Sequence, residues 1–195
     1  MFQGETGQLP SIMSAMRGFA IVALILLHAL VTMAATECFC SPDQTETMKQ
    51  RQCSLCREAE MKPASETIFF LKDINPRKPN RWLALPRAHF DGLHHLHEMP
   101  QAARTALFTA AIEKSKSMWG DDWGIAYNGE KVRTQCHAHI HIGKMMKHVE
   151  NDRFIVVSKP SQIPVAPGEG LWIHGAGDKI HVHIGEQTTE TVLMR

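Results

Sequence analysis

Three histidines stand at two-residue spacing in RTQCHAHIHIGK, residues 133–144: His137, His139 and His141, with Ala138, Ile140 and Ile142 filling the gaps. In an extended strand successive side chains point to opposite faces, so the imidazoles would share one surface while the apolar residues enter a core. A half-buried strand with a merely solvated polar face is the plain alternative. Histidine is a costly choice for such a face, and three in register favour chemistry. Two chemistries fit. Histidines two apart can share a metal, but a catalytic zinc site usually adds a carboxylate acting on bound water, and the motif holds no Asp or Glu. A neutral imidazole is also a good nucleophile at pH 7, with phosphorus a suitable target. In that case His139 attacks, while His137 and His141 orient it and contact the phosphate or leaving group.

Several elements must position this strand. TIFFL (Thr67–Leu71) and RWLAL (Arg81–Leu85) read as strands, with KDINPRKPN as a hairpin connection. DGLHHLHEM reads as a short helix. From Pro100 to Trp119, Ala103, Leu107, Phe108, Ala111, Ile112, Ser115, Met118 and Trp119 keep helical spacing, Pro100 suits a first turn and Gly120 a stop. WGIAYN (Trp123–Asn128) and His137–Gly143 then read as strands. Beyond Lys144, Phe154–Val157 is a strand, KPSQIPVAPGEG a linker, LWIHGAGDKIHVHIG a hairpin turning on Gly175–Asp178, and Thr191–Leu193 a last strand. The expected class is α+β.

The chain has 195 residues, 44% hydrophobic and 21% charged, enough for one domain with attachments. A formal charge of +1 excludes a nucleic-acid binder with a continuous basic stripe. Arg17 precedes the uncharged run GFAIVALILLHALVTMAA, Gly18–Ala35, which reads as a secretory signal or a single membrane anchor. Thr32-Met33-Ala34 offers small residues for cleavage after Ala34. Residues 1–36 are therefore a leader or anchor, and the remainder is expected outside the cytoplasm, periplasmic or extracellular.

The motif resembles the His-φ-His-φ-His-φ-φ signature of the histidine triad superfamily of nucleotide hydrolases and transferases, with Gly143 departing from the final apolar place. DINPRKPNRWLALPRAHF is similar to that family's hairpin, in which an Asp-Ile segment leads to a strand ending in Pro-basic-x-His, and Asn128 precedes the triad as the family's active-site Asn does. These features cover roughly Cys53 to Lys144. The resemblance implies an antiparallel sheet with one long helix and a short one, here over residues 37–158, with 159–195 as a C-terminal β-hairpin extension. It implies a nucleotidyl-imidazole intermediate on His139, with His141 on the phosphate or leaving group, Asn128 on the nucleotide moiety or phosphate, and no metal required for the chemistry. Relatives often pair as homodimers.

CSLC, Cys53 to Cys56, is a pair that many members use for structural zinc together with the positions of His89 and His137. An exported chain with Cys38, Cys40, Cys53 and Cys56 could instead form two disulfides. NGEKVRTQCHAHIHI is further similar to the approach in CDP-diacylglycerol pyrophosphatases, a membrane-associated branch, which points Arg133, Thr134 and Gln135 at substrate, with a cation over a pyrophosphate. The expected activity is hydrolysis of a nucleoside diphosphate conjugate, CDP-diacylglycerol being the most specific candidate, with a membrane lipid as partner. The alternatives are a hydrolase or nucleotidyltransferase acting on a soluble dinucleotide or nucleotide sugar, a zinc hydrolase using the triad as ligands, and a non-catalytic nucleotide-binding or metal-buffering module.

Other residues carry plainer expectations. His94, His95 and His97 read as solvated or structural. His181 and His183 share a face of the C-terminal hairpin near His174 and could bind metal, but the sequence offers no third ligand. Cys136 reads as a small buried hydrophobe, and Trp82, Trp119, Trp123 and Trp172 as core or rim aromatics.

Overall fold

A computed structural model describes residues 38–88 and 94–195. The apolar run 18–35 and His89 lie outside the described residues. Two short helices, α1 (Thr45–Met48) and α2 (Ser54–Glu60), precede the strands β1 (Ile68–Lys72) and β2 (Trp82–Pro86). The long helix α3 (Gln101–Trp119) leads to β3 (Trp123–Tyr127), β4 (Ile140–Lys144), β5 (Ile155–Val157), β6 (Gly170–Ala176) and β7 (Lys179–Glu186). All seven strands form one antiparallel sheet in the order β1-β2-β4-β3-β6-β7-β5. The α+β class holds, with one long helix among the described residues.

α3 forms where the apolar period predicts it, capped by Pro100 and ended by Gly120 at φ +55°. It buries Leu107, Phe108, Ala111, Ile112 and Ser115, while Ala103 and Met118 are exposed. Ser115 stays satisfied inside the core, its hydroxyl donating to Gly124 O at 3.1 Å. Against this face the sheet presents Ala84, Ile125, Ile140, Ile142, Ile173 and Val182, forming the main core. Burial of this apolar area, at about 25 cal/mol per Å², drives the assembly.

The opposite face is covered in two places. At β1 and β2, Phe69, Leu83 and Leu85 pack with Ala59 of α2. Nearer the middle, Ala126 and Trp172 pack with Val192 and Leu193 of the C-terminal segment. The gap between these coverings holds the histidines.

The hairpin of residues 170–186 continues the main sheet: β6 pairs with β3, and β7 carries β5 on its far edge. Its turn at Gly177, φ +63°, falls where expected. The last expected strand is a helical turn at Thr189–Val192 followed by a single bridge, Leu193 to Met145. Of the expected short helix, the described part is one turn at Leu96–Glu98.

The triad strand begins at Ile140, so His137 and His139 precede it. The β2–β4 register pairs Ala84 with Ile140, and its continuation would set Pro86 against Ala138. Proline has no N–H to donate, so the ladder stops there.

Candidate active site

His139 and His141 line a cleft of about 520 Å³ bounded by α2, the hairpin connection at Asp73–Lys78, the 132–135 loop and Glu190. The ring of His139 is fixed by its own chain. Its Nδ1 lies 2.8 Å from the carbonyl of His137, which can only accept, so Nδ1 carries the proton and Nε2 the lone pair. The ring meets that of His141 edge-on, with centroids 5.0 Å apart.

His137 departs from the expected pattern. Its imidazole is fully buried and its Nε2 donates to Pro86 O at 2.7 Å, taking up the carbonyl at which the ladder ends. Its side chain serves the fold, while its backbone carbonyl orients His139.

Asn128 joins the site from the end of β3. Its Oδ1 accepts from Glu190 N–H at 3.0 Å and from the Thr189 hydroxyl at 3.3 Å, which turns its Nδ2 towards His141 Nε2 at 3.4 Å. His141 therefore holds its proton on Nδ1, facing Glu190 Oε2 at 3.4 Å, an electrostatic contact too long for a strong hydrogen bond.

Glu190 also pairs with Lys78 Nζ at 2.6 Å and with Arg81 Nη1 at 3.3 Å. Arg81 is 1% exposed, and its remaining donors go to the carbonyls of Glu190, Leu193 and Met194. It thereby clamps the C-terminal turn across the sheet. The departure at Gly143 has its reason here, since an added Cβ would sit 3.1 Å from Leu193 Cβ and 3.2 Å from Arg81 Cδ. Its register partner Gly124 would meet Leu193 Cδ2 at 2.7 Å. Two side-chain-free positions let the tail lie on the strands and deliver Glu190 to His141.

Arg133, Thr134 and Gln135 all reach the cleft wall. Arg133 nonetheless acts chiefly as a brace. It donates to the carbonyls of His94 (2.7 Å), Cys136 (2.9 Å) and Gln135 (3.2 Å) and to the Tyr127 hydroxyl (2.6 Å). Gln135 binds Arg51 O and accepts from Ser54, tying the triad approach to α2, whereas Thr134 is exposed. His94 is buried, and His95 sits with Nδ1 2.7 Å from Arg133 and 3.2 Å from Glu130, so these histidines are not simply solvated.

The zinc set Cys53, Cys56, His89 and His137 is not assembled. Cys53 is bonded to Cys40, and a disulfide sulfur is no thiolate ligand. The second bridge joins Cys38 to Cys136, so Cys136 is a cross-link rather than a lone buried thiol. Cys56 is the free cysteine, buried, with its thiol pushed up to about 12 mainly by that burial. Among the described residues, two groups bring ligand atoms close enough to share an ion: Cys40, Cys53 and Cys136, now held in disulfides, and Glu150, His174 and His181. The triad is not one of them.

The chain matches no protein-family model and no curated protein. Its residues alone carry the functional reading. Those not expected from the sequence are Lys78, Arg81 and Glu190. No local spacing marks them, because the contact between Arg81 and Glu190 spans 109 residues.

Burial holds His139 down to about 3, helped by the charges of His141 and Arg133. Burial likewise holds His141 at about 3, with Arg81 and Lys78 adding to it. Both rings are neutral at pH 7, leaving the His139 Nε2 lone pair free. Since both folded values lie below the ordinary 6.5, the unfolded chain takes up these protons first. The stabilisation is complete above pH 6.5 and falls as the pH drops towards 3, by about 1.4 kcal/mol per pH unit for each ring. Urea midpoints measured from pH 7 to pH 4 are expected to fall steadily; a flat profile would contradict neutral buried rings.

Proposed function

We propose that the chain is a histidine triad phosphoanhydride hydrolase that cleaves a nucleoside diphosphate conjugate through a nucleotidyl-histidine intermediate on His139. One observation carries the reading: the His137 carbonyl binds His139 Nδ1–H and so leaves Nε2, on the cleft side, as a fixed neutral nucleophile. In the first step Nε2 attacks the α-phosphorus. The N–P bond forms as the bridging P–O bond breaks, and its electron pair leaves on the departing phosphate oxygen. The positive charge gained by the ring is stabilised by the Nδ1–H bond to the carbonyl. Water then attacks the same phosphorus and gives up a proton to solvent. The P–N pair returns to Nε2, releasing a nucleoside monophosphate.

Lys78 puts a cation on the cleft wall, and Asn128 and His141 stand beside the nucleophile as phosphate or leaving-group contacts. No step calls for a metal, and the wider spread of the triad nitrogens disfavours the zinc-hydrolase alternative. The histidine triad fold is part of the proposal, supported by an interior triad strand backed by the long helix α3.

A lipid conjugate such as CDP-diacylglycerol is favoured by the cleft rim, where Leu55, Leu71 and Leu83 meet Lys72 and an Ile74 side chain that is 97% exposed. Apolar and cationic groups side by side suit acyl chains next to a diphosphate. The two disulfides favour an exported protein.

The test is a substrate panel: CDP-diacylglycerol in mixed micelles, a diadenosine polyphosphate and a nucleotide sugar, each assayed for released nucleoside monophosphate. CDP-diacylglycerol is expected to give the highest kcat/KM. A higher kcat/KM for a soluble conjugate would overturn the lipid assignment, and no monophosphate from any substrate would overturn the enzymatic one.

A further inference from the structure

The sheet face that bears His141 carries a second group of histidines on β6 and β7. In the hairpin register His174 stands opposite His181, and Trp172 opposite His183, so all four side chains share that face. The segment after β4 brings Glu150 over them. Its Oε1 lies 2.8 Å from His181 Nδ1 and 3.3 Å from His174 Nε2.

The state of His174 is informative. Its Nδ1 is 3.0 Å from the carbonyl of Gly175, so that nitrogen carries the proton and Nε2 a lone pair. The ring is 7% exposed, and Nε2 makes no hydrogen bond. A buried lone pair thus faces a carboxylate oxygen, two acceptors 3.3 Å apart.

A metal ion would satisfy both acceptors. Bonds of about 2.0–2.1 Å to nitrogen and oxygen in a tetrahedral site set ligands about 3.3–3.5 Å apart, which fits the observed 3.3 Å between Oε1 and Nε2; the 2.8 Å from Oε1 to His181 Nδ1 is a hydrogen bond whose proton the ion would replace. The three ligand atoms all lie within 4.8 Å of one another. The Nδ1–H bond to a backbone carbonyl is also the support that metal-bound histidines ordinarily have. His181 is held by stacking on Phe154, with centroids 4.0 Å apart. His183, the other histidine flagged by spacing, instead lies flat on Trp172 at 3.4 Å and is outside the ligand group.

We propose that Glu150, His174 and His181 bind a zinc-class divalent cation that ties the segment around residue 150 to the β6–β7 hairpin. Two neutral nitrogens and one carboxylate suit zinc, with water completing the tetrahedron. Glu150 and His174 line a cleft of about 300 Å³ beside Asp122, Lys147 and His148, which gives the ion a path in. The site lies on strands other than the triad's, so it stands or falls independently of the hydrolase reading.

The test is equilibrium dialysis of the chelator-stripped full chain against zinc chloride, with bound metal counted, alongside Glu150→Gln, His181→Gln and His139→Ala. The wild type and His139→Ala are expected to bind one zinc per chain at micromolar concentration or below. Glu150→Gln and His181→Gln are expected to weaken it by at least about 100-fold, as loss of a ligand from a three-residue site should. Zinc should also raise the Tm of the wild type but not that of the two ligand variants. Absence of saturable binding, or binding unchanged in both ligand variants, would overturn the site. Should those variants not fold, the imidazole NMR signals of the wild type decide: zinc must shift His174 and His181, and shifts confined to other histidines would overturn it.

Discussion

Replacing His139 by alanine is expected to lower turnover by about 10⁴- to 10⁶-fold, the range seen when a covalent nucleophile is removed. The loss should fall on kcat, with little change in KM, because in the proposed mechanism the rest of the cleft wall would still bind the nucleotide. Folding should survive: the ring's hydrogen bond is to the carbonyl two residues away, and no other element depends on it. His139→Gly gives a sharper version, in which added imidazole can occupy the vacated space and restore part of the activity. A His139→Ala enzyme keeping a tenth or more of wild-type kcat would remove His139 from the nucleophile's role. His141→Ala is expected to be milder, since that ring is neutral, linked to Asn128 and, in the proposed mechanism, contacts the phosphate or leaving group without forming a bond to phosphorus.

The second large effect is on stability. The Cys38–Cys136 bridge closes a loop with a sequence separation of 98, and Cys40–Cys53 one of 13. On the chain-entropy model the longer loop contributes about 4.7 kcal/mol and the shorter about 3, against a usual total of about 5–15 kcal/mol. Reduction should lower Tm by at least about 10 °C, taking roughly 2–4 °C per kcal/mol for a chain of this size. Cys136 adjoins His137, whose carbonyl aims the nucleophile, so activity should fall together with the fold. The Cys38→Ser/Cys136→Ser pair should reproduce most of the shift. Thiol titration should find one reactive sulfhydryl after unfolding without reductant, and almost none in the native state, where Cys56 is buried. A Tm insensitive to reductant would contradict both bridges.

Elements with sustained periodicity follow from the sequence. The spacing of Leu107, Phe108, Ala111, Ile112 and Ser115 marks one helix face, and the alternation of Ile140 and Ile142 with His141 marks a strand between a core and a cleft. Such signals come from local geometry repeated over several residues. Contacts closed only by the tertiary fold leave no such trace. Glu190 reaches His141 because Arg81 holds the tail and Gly124 and Gly143 make room for Leu193, positions scattered over more than a hundred residues. Cysteine partners are similarly silent, and a C-x-x-C pair reads alike whether it binds metal or its first sulfur is bonded elsewhere. The resemblance points Arg133 at substrate. Its commitment to three carbonyls and the Tyr127 hydroxyl shows only in the folded loop.

Neutrality of the two cleft histidines joins the fold to the chemistry. The same burial that keeps His139 neutral, as the proposed nucleophile must be, makes the protein sensitive to acid, so activity and stability should be lost together as the pH falls.

The stereochemical course at the α-phosphorus tests the covalent route most directly. A substrate made chiral by sulfur at that phosphorus is hydrolysed in oxygen-18 water and the configuration of the thiophosphate product is determined. Two in-line displacements, first by His139 and then by water, give net retention. Net inversion would mean that water attacks in a single step and that no bond between phosphorus and His139 forms.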